Sequence, residues 1–196
     1  MSHVLRRAGG VFAAIHREQI GPPVDLGDLD PRTLDPALLA EARLVWADRF
    51  RTEFRSIQIM TRFLEEVVGA GDPLDVYAGA LDLVRDEIRH AELCMALCHT
   101  LGVEPRLPDP VALRGPPAFV AAPMAERALH TAITMLAVSE TISVAFIRDL
   151  EARCTYAPVK RVLETTLDDE TTHEAFGWSY VEASLRRFPA SARPAF

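Results

Sequence analysis

Six ionisable residues fall on stripes that helical periodicity otherwise fills with apolar ones: Glu53, Glu87 with His90, Glu140, and Glu170 with His173. In each Glu-x-x-His pair the carboxylate and imidazole are three residues apart, on adjacent points of one helical face, so both reach a single centre between helices. Composition alone yields about 0.5 such pairs in this chain, yet two occur, and each is preceded by an aspartate, Asp86 or Asp169. Burying six such side chains without partners costs far more than the net stability of a domain. Carboxylate with imidazole is a donor set for iron or manganese. The absence of a Cys-x-x-Cys or Cys cluster argues against an iron–sulfur or structural zinc site.

These residues require four long helices to position them. Asp35 and Pro36 form a paired start signal for a helix running to about Val68, before Gly69-Ala70-Gly71. Leu39, Ala42, Trp46, Arg49, Glu53, Ile57, Met60, Leu64 and Val67 share one stripe of it. Asp72 and Pro73 repeat the signal for a second helix of about 29 residues that stops at Gly102. Six prolines between Val103 and Pro123 imply an extended connection. The third helix spans about Met124 to Leu150. The fourth, with Pro158 in its first turn, lasts to about Phe188 and is ended by Pro189. The expectation is an all-α domain over 35–188, flanked by an irregular segment, 1–34, and a tail, 189–196.

Spacing levels the ionisable residues. Glu53 and Glu87 lie 17 residues either side of residue 70, and Glu140 and Glu170 lie 15 either side of residue 155. In an antiparallel hairpin, equal distance from the turn means equal height along the axis. Each hairpin therefore brings one lone Glu level with one Glu-x-x-His.

Through Glu53, Asp86-Glu87-Ile88-Arg89-His90, Glu140 and Asp169-Glu170-Thr171-Thr172-His173, the chain resembles the ferritin-like di-iron carboxylate superfamily over about residues 36–188. The resemblance implies a four-helix bundle of two antiparallel hairpins joined by a long Pro-rich crossover. It also implies two metal ions, bridged by Glu87 and Glu170, with Glu53 and Glu140 as terminal ligands and one His on each ion. Two iron ions are the expected pair, with a manganese–iron pair as the alternative. A metal-bound His usually donates its other ring N–H to a carboxylate, so Asp86 is expected to orient His173 and Asp169 to orient His90.

Other residues carry less. Cys94, Trp46, Tyr77 and Tyr180 read as packing residues, the tyrosines lying about 15 Å along the axis from the glutamates. Gly177, four residues after His173, either leaves space beside the metals or permits close helix packing. Hydroxyls at Thr134, Ser139, Thr141 and Ser143 are expected mostly to meet backbone carbonyls. His3, His16, His99 and His130 read as surface or packing residues, and Glu65-Glu66 and Arg186-Arg187 as solvated faces.

With 21 Lys and Arg against 28 Asp and Glu, the net charge of −7 disfavours nucleic acid. The apolar run Ala8 to Ile15 is too short for a secretory core or a membrane span. Three cysteines, an odd number, suit a reducing compartment, with the cytoplasm as the default. The resemblance implies an oxygenase or oxidase that uses dioxygen to hydroxylate, N-oxygenate or desaturate a small organic substrate, with a ferredoxin or flavin reductase supplying electrons if turnover needs them, and a homodimer as a common state. Alternative readings are ferritin- or bacterioferritin-like ferroxidase and iron storage, a rubrerythrin-like peroxidase, and a metal-free or regulatory member of the fold.

Overall fold

The computed structural model describes residues 8–27, 29–107 and 115–189. Most of tail 189–196 and His3 lie outside them. The described chain is all-α: α1 (Gly10–Ile20), α2 (Pro36–Ala70), α3 (Leu74–Thr100), the short α4 (Pro117–Ala121), α5 (Met124–Thr131), α6 (Glu140–Arg153) and α7 (Ala157–Leu185). Between α5 and α6 the chain continues without a break through a π-helical segment, Ala132–Ser139.

The start of α2 follows from its sequence. The Asp35 carboxylate accepts the backbone N–H groups of Ala37 and Leu38, and Pro36 occupies the first turn. Its end is set by Gly71, whose left-handed backbone (φ 72) closes the helix onto Val67 and Val68.

Asp72 does not cap α3. Pro73 takes that position without a side-chain cap, and the buried Asp72 carboxylate instead accepts the Tyr180 hydroxyl at 2.8 Å and the Arg187 guanidinium. A cap satisfies one backbone donor, whereas here the carboxylate fixes the α2–α3 turn to the end of α7.

Two apolar clusters flank one polar layer. One holds Trp46, Phe50, Cys94, Leu97, Ile147 and Leu163, and the other Met60, Phe63, Leu83, Leu129, Leu136 and Tyr180. In α2 and α7 the chain runs from the first cluster to the second, and in α3 and in the continuous run from α5 through α6 from the second to the first. Leu101, just after α3, lies in the first cluster and Ala128, in α5, lies in the second, so α3 ends and α5 begins at opposite ends of the helices. The six ionisable residues sit between the clusters on all four helices.

Three expectations need correction. Residues 1–34 are not irregular throughout: Gly10–Ile20 is helical, and Gly21 with Pro22 and Pro23 ends it. None of its residues is buried, so it lacks the strong periodic stripe by which the core helices are read. The connection is not wholly extended, since Pro117–Ala121 forms a turn of helix whose Phe119 ring lies 4.9 Å and 5.3 Å from the Arg62 and Arg127 guanidinium carbons. Of the two charged dipeptides, Glu65, Arg186 and Arg187 are exposed as expected, and only Glu66 leaves the solvated face. Glu66 is buried with Arg127 at 3.2 Å and the Thr131 hydroxyl at 2.8 Å, and Arg187 reaches Asp72.

The 30 residues Met124–Arg153 are, by length and composition, long and apolar enough to cross a membrane. In this fold they occupy the place of a core helix, sending Leu129, Leu136, Val144 and Ile147 inward.

Gly177 is a packing residue. A methyl group there would overlap the Leu136 carbonyl and lie 2.8 Å from Ala137 N, so the π segment packs backbone-to-backbone on α7. Gly177→Ala is expected to lower stability by about 1–3 kcal/mol, which is the cost of overpacking. Thermal unfolding tests this: in open space the same change would raise the melting temperature through helix propensity.

Candidate metal centre

All six of these residues are buried, with His90 and His173 fully so. Their rings lie with centroids 5.9 Å apart. His90 comes from α3 and His173 from α7, and each turns Nδ1 inward. Around His90 Nδ1 stand Glu87 Oε2 at 3.6 Å, Glu170 Oε1 at 3.7 Å and Glu53 Oε2 at 4.0 Å. Around His173 Nδ1 stand Glu170 Oε2 at 3.3 Å and Glu87 Oε1 at 3.7 Å. Glu87 and Glu170 each direct one oxygen to each imidazole, whereas Glu53 meets only His90.

The outer ring nitrogens meet aspartates across the two hairpins. His90 Nε2 is 3.1 Å from Asp169 Oδ2, and His173 Nε2 is 3.4 Å from Asp86 Oδ2. With Nε2–H donating to the aspartate, a neutral ring turns its Nδ1 lone pair to the centre. The structure thus brings the six candidate ligands together and pairs Asp86 and Asp169 with the opposite histidines. Asp169→Asn is expected to weaken metal binding roughly 10- to 100-fold with helicity unchanged, as for other partners that orient a ligand. A metal titration followed by circular dichroism checks both halves of that outcome.

Whether a metal fits is decided by what these atoms lack. His90 Nδ1, His173 Nδ1, Glu87 Oε2 and Glu170 Oε2 are buried without a hydrogen-bond partner, although buried polar atoms are nearly always satisfied. Two groups have their ligand atoms within 4.8 Å of one another: Glu87, Glu140, Glu170 and His173, and Glu53, His90 and Glu170. Glu170 belongs to both. The residues fit a metal-binding centre, and the thiol-free donor set suits a hard or borderline ion.

Without a cation the carboxylates oppose one another. Burial and the neighbouring Glu87 charge push Glu53 up to about 7, with Arg49 opposing. Burial and Glu170 push Glu140 up to about 11. Against its own burial, Glu170 is lowered to about 2 by the neighbouring His173, Glu140 and His90. Glu140 and Glu170 therefore share one proton, held on Glu140. His173 is raised to about 9 against its burial by Asp86 and Glu170. His90 is raised, also against burial, by Asp169 and Glu87.

One site residue was not singled out by sequence reasoning. Arg49, one turn before Glu53, is mostly buried and donates from Nη2 to Glu53 Oε1 at 2.9 Å. The signal was present as a cation on the inward stripe at i,i+4 from a ligand. Cys94 lies beside this pair, but its buried thiol is pushed well up by desolvation and by Glu53, so it stays protonated. Thr134 and Ser139 bond the carbonyls of His130 and Thr134, whereas Thr141 donates to Glu174.

No family model, curated protein or solved structure matches the chain.

Proposed function

We propose that the chain is a ferritin-like four-helix protein and a non-haem di-iron oxidoreductase, using dioxygen to hydroxylate, N-oxygenate or desaturate a small organic substrate. The observation that carries this reading is the pair of buried imidazoles with two carboxylates each shared between them. Four carboxylates and two divalent cations balance in charge, and the antiparallel hairpins supply one lone Glu and one Glu-x-x-His apiece. Glu53, Glu87, Glu170 and His90 would hold one ion, and Glu87, Glu140, Glu170 and His173 the other.

When bound, ferrous iron supplies the one-electron and dioxygen chemistry that side chains lack. The protein's own contribution is positional and electrostatic. Asp86 and Asp169 fix the imidazole planes, and Arg49 holds the Glu53 carboxylate and places a positive charge beside it. The flanking apolar clusters keep bulk water out of the centre. A ferredoxin or flavin reductase is the electron donor this reading calls for when a turnover consumes external electrons.

The test is an anaerobic ferrous iron titration followed by mixing with dioxygen. Two irons per chain and oxygen consumption in proportion to iron are the expected results. Absence of stoichiometric iron, or iron inert to oxygen, would overturn the reading. A cage-sized particle that accumulates iron would replace it with storage.

A further inference from the structure

The helix that sequence reading left unassigned covers a cavity. α1 runs beside α3, held by His16 Nε2 to Glu92 Oε1 at 3.1 Å. Between α1 and the α2–α3 pair is a cavity of about 530 Å³. Phe12 and Ala13 of α1 form its outer wall, and Ile57, Ala91 and Met95 lie on the α2–α3 side. A volume of this size is that of a small-molecule site.

Its position ties it to the centre. Ile57 follows Glu53 by one helical turn, and Ala91 follows Glu87 by one turn. Ala91 is buried in the core and also lines the cavity, next in sequence to the ligand His90. From Ile88 to His99 the lining extends eleven residues along α3, about 16 Å at 1.5 Å per residue. The space is therefore elongated, with one end level with the ligands.

Its chemistry selects the occupant. Apart from His16, Glu92 and His99, the side chains that line it are apolar. Glu92 is paired with His16, and His99, at the far end, lies 3.7 Å from Glu104. An ionised headgroup would lose hydration against such walls, and no lysine or arginine lines them to pair with it.

We propose that this cavity binds an uncharged, elongated apolar molecule, an alkyl or aryl compound carrying at most one neutral polar group, and that this is the substrate class of the adjacent centre. The substrate assignment rests on the di-iron reading, whereas the binding site does not.

The experiment uses the full metal-free chain and displacement of the fluorescent probe 1-aminoanthracene by 1-decanol or by decanoate at neutral pH. The expected result is displacement by 1-decanol, with decanoate at least tenfold weaker. Ala13→Trp and, separately, Met95→Trp fill the cavity from opposite walls and should each weaken 1-decanol at least tenfold while leaving the metal load per chain unchanged. No displacement, equal affinity for decanoate, or variants that bind like the native chain would overturn the proposal. Two metals per chain without 1-decanol binding removes the cavity and leaves the centre. Binding of 1-decanol by a chain that takes up no stoichiometric metal keeps the cavity site and overturns both the di-iron reading and the substrate assignment.

Discussion

Glu170→Ala is expected to abolish the proposed dinuclear centre, leaving at most one metal ion per chain after dialysis where the di-iron reading gives the native chain two. Glu170 belongs to both groups of converging ligand atoms, with Oε1 3.7 Å from His90 Nδ1 and Oε2 3.3 Å from His173 Nδ1. Its loss removes one oxygen from each position and leaves both imidazoles with fewer anionic neighbours. The drop in affinity should exceed the 10- to 100-fold typical of residues that only orient a ligand. Glu53→Ala removes a group from the His90 side alone and should leave one ion held by Glu87, Glu140, Glu170 and His173 with undiminished affinity, whereas any single ion left in Glu170→Ala should be held weakly. Metal content per chain, with circular dichroism to verify the helices, separates these outcomes. Two ions retained in Glu170→Ala would refute the assignment.

The second large effect is a dependence of stability on pH that exists only without metal. Glu53 and Glu140 are raised from 4.5 to about 7 and about 11, and His173 from 6.5 to about 9, chiefly by burial for the glutamates and, against burial, by Asp86 for the histidine. Raised values mean that the folded chain retains protons the unfolded chain has released, so stability falls as pH rises. The Glu53 contribution is complete below 4.5 and gone above about 7. That of His173 is complete below 6.5 and gone above about 9. Glu170, lowered to about 2, acts in the opposite direction, but only as pH falls below 4.5.

The metal-free chain should therefore lose thermal stability steadily from about pH 5 to about pH 9. Metal replaces those protons. At pH 7, loading should release about three per chain, from His90, His173 and Glu140, and flatten the profile. Thermal unfolding across pH, and calorimetry in buffers of differing ionisation enthalpy, measure the two halves. Metal-free stability that rises over this window would contradict the charge arrangement.

The site was legible to an unusual degree because it lies on long helices, where spacing along the chain becomes height along an axis. Equal distances from residues 70 and 155 place Glu53, Glu87, Glu140 and Glu170 in one layer, and the structure brings them together there. The pairing of each aspartate with the histidine of the other hairpin follows from the same levelling. What was not legible depends on packing between elements distant in the chain. Asp72 looks like a helix cap until Tyr180 and Arg187 arrive from more than a hundred residues away. Glu66 looks solvated until Arg127 and Thr131 cover it. Periodicity assigns Ala132–Ser139 to a helix but cannot distinguish the π form, because the tight contact at Gly177 belongs to another helix. α1 escaped notice because it buries nothing in the core and covers a cavity instead.

The shared position of Glu170 has a consequence for the order of synthesis. On a ribosome, α2 and α3 emerge first and present Glu53, Glu87 and His90 as an incomplete half. Glu170 follows Glu87 by 83 positions, a delay on the order of ten seconds at ordinary elongation rates. During that interval the nascent hairpin offers two carboxylates and one imidazole, too few donors to compete well for scarce metal. On the di-iron reading, capture would therefore wait for the last helix, and a truncated chain that ends before α7 would not retain the metal pair.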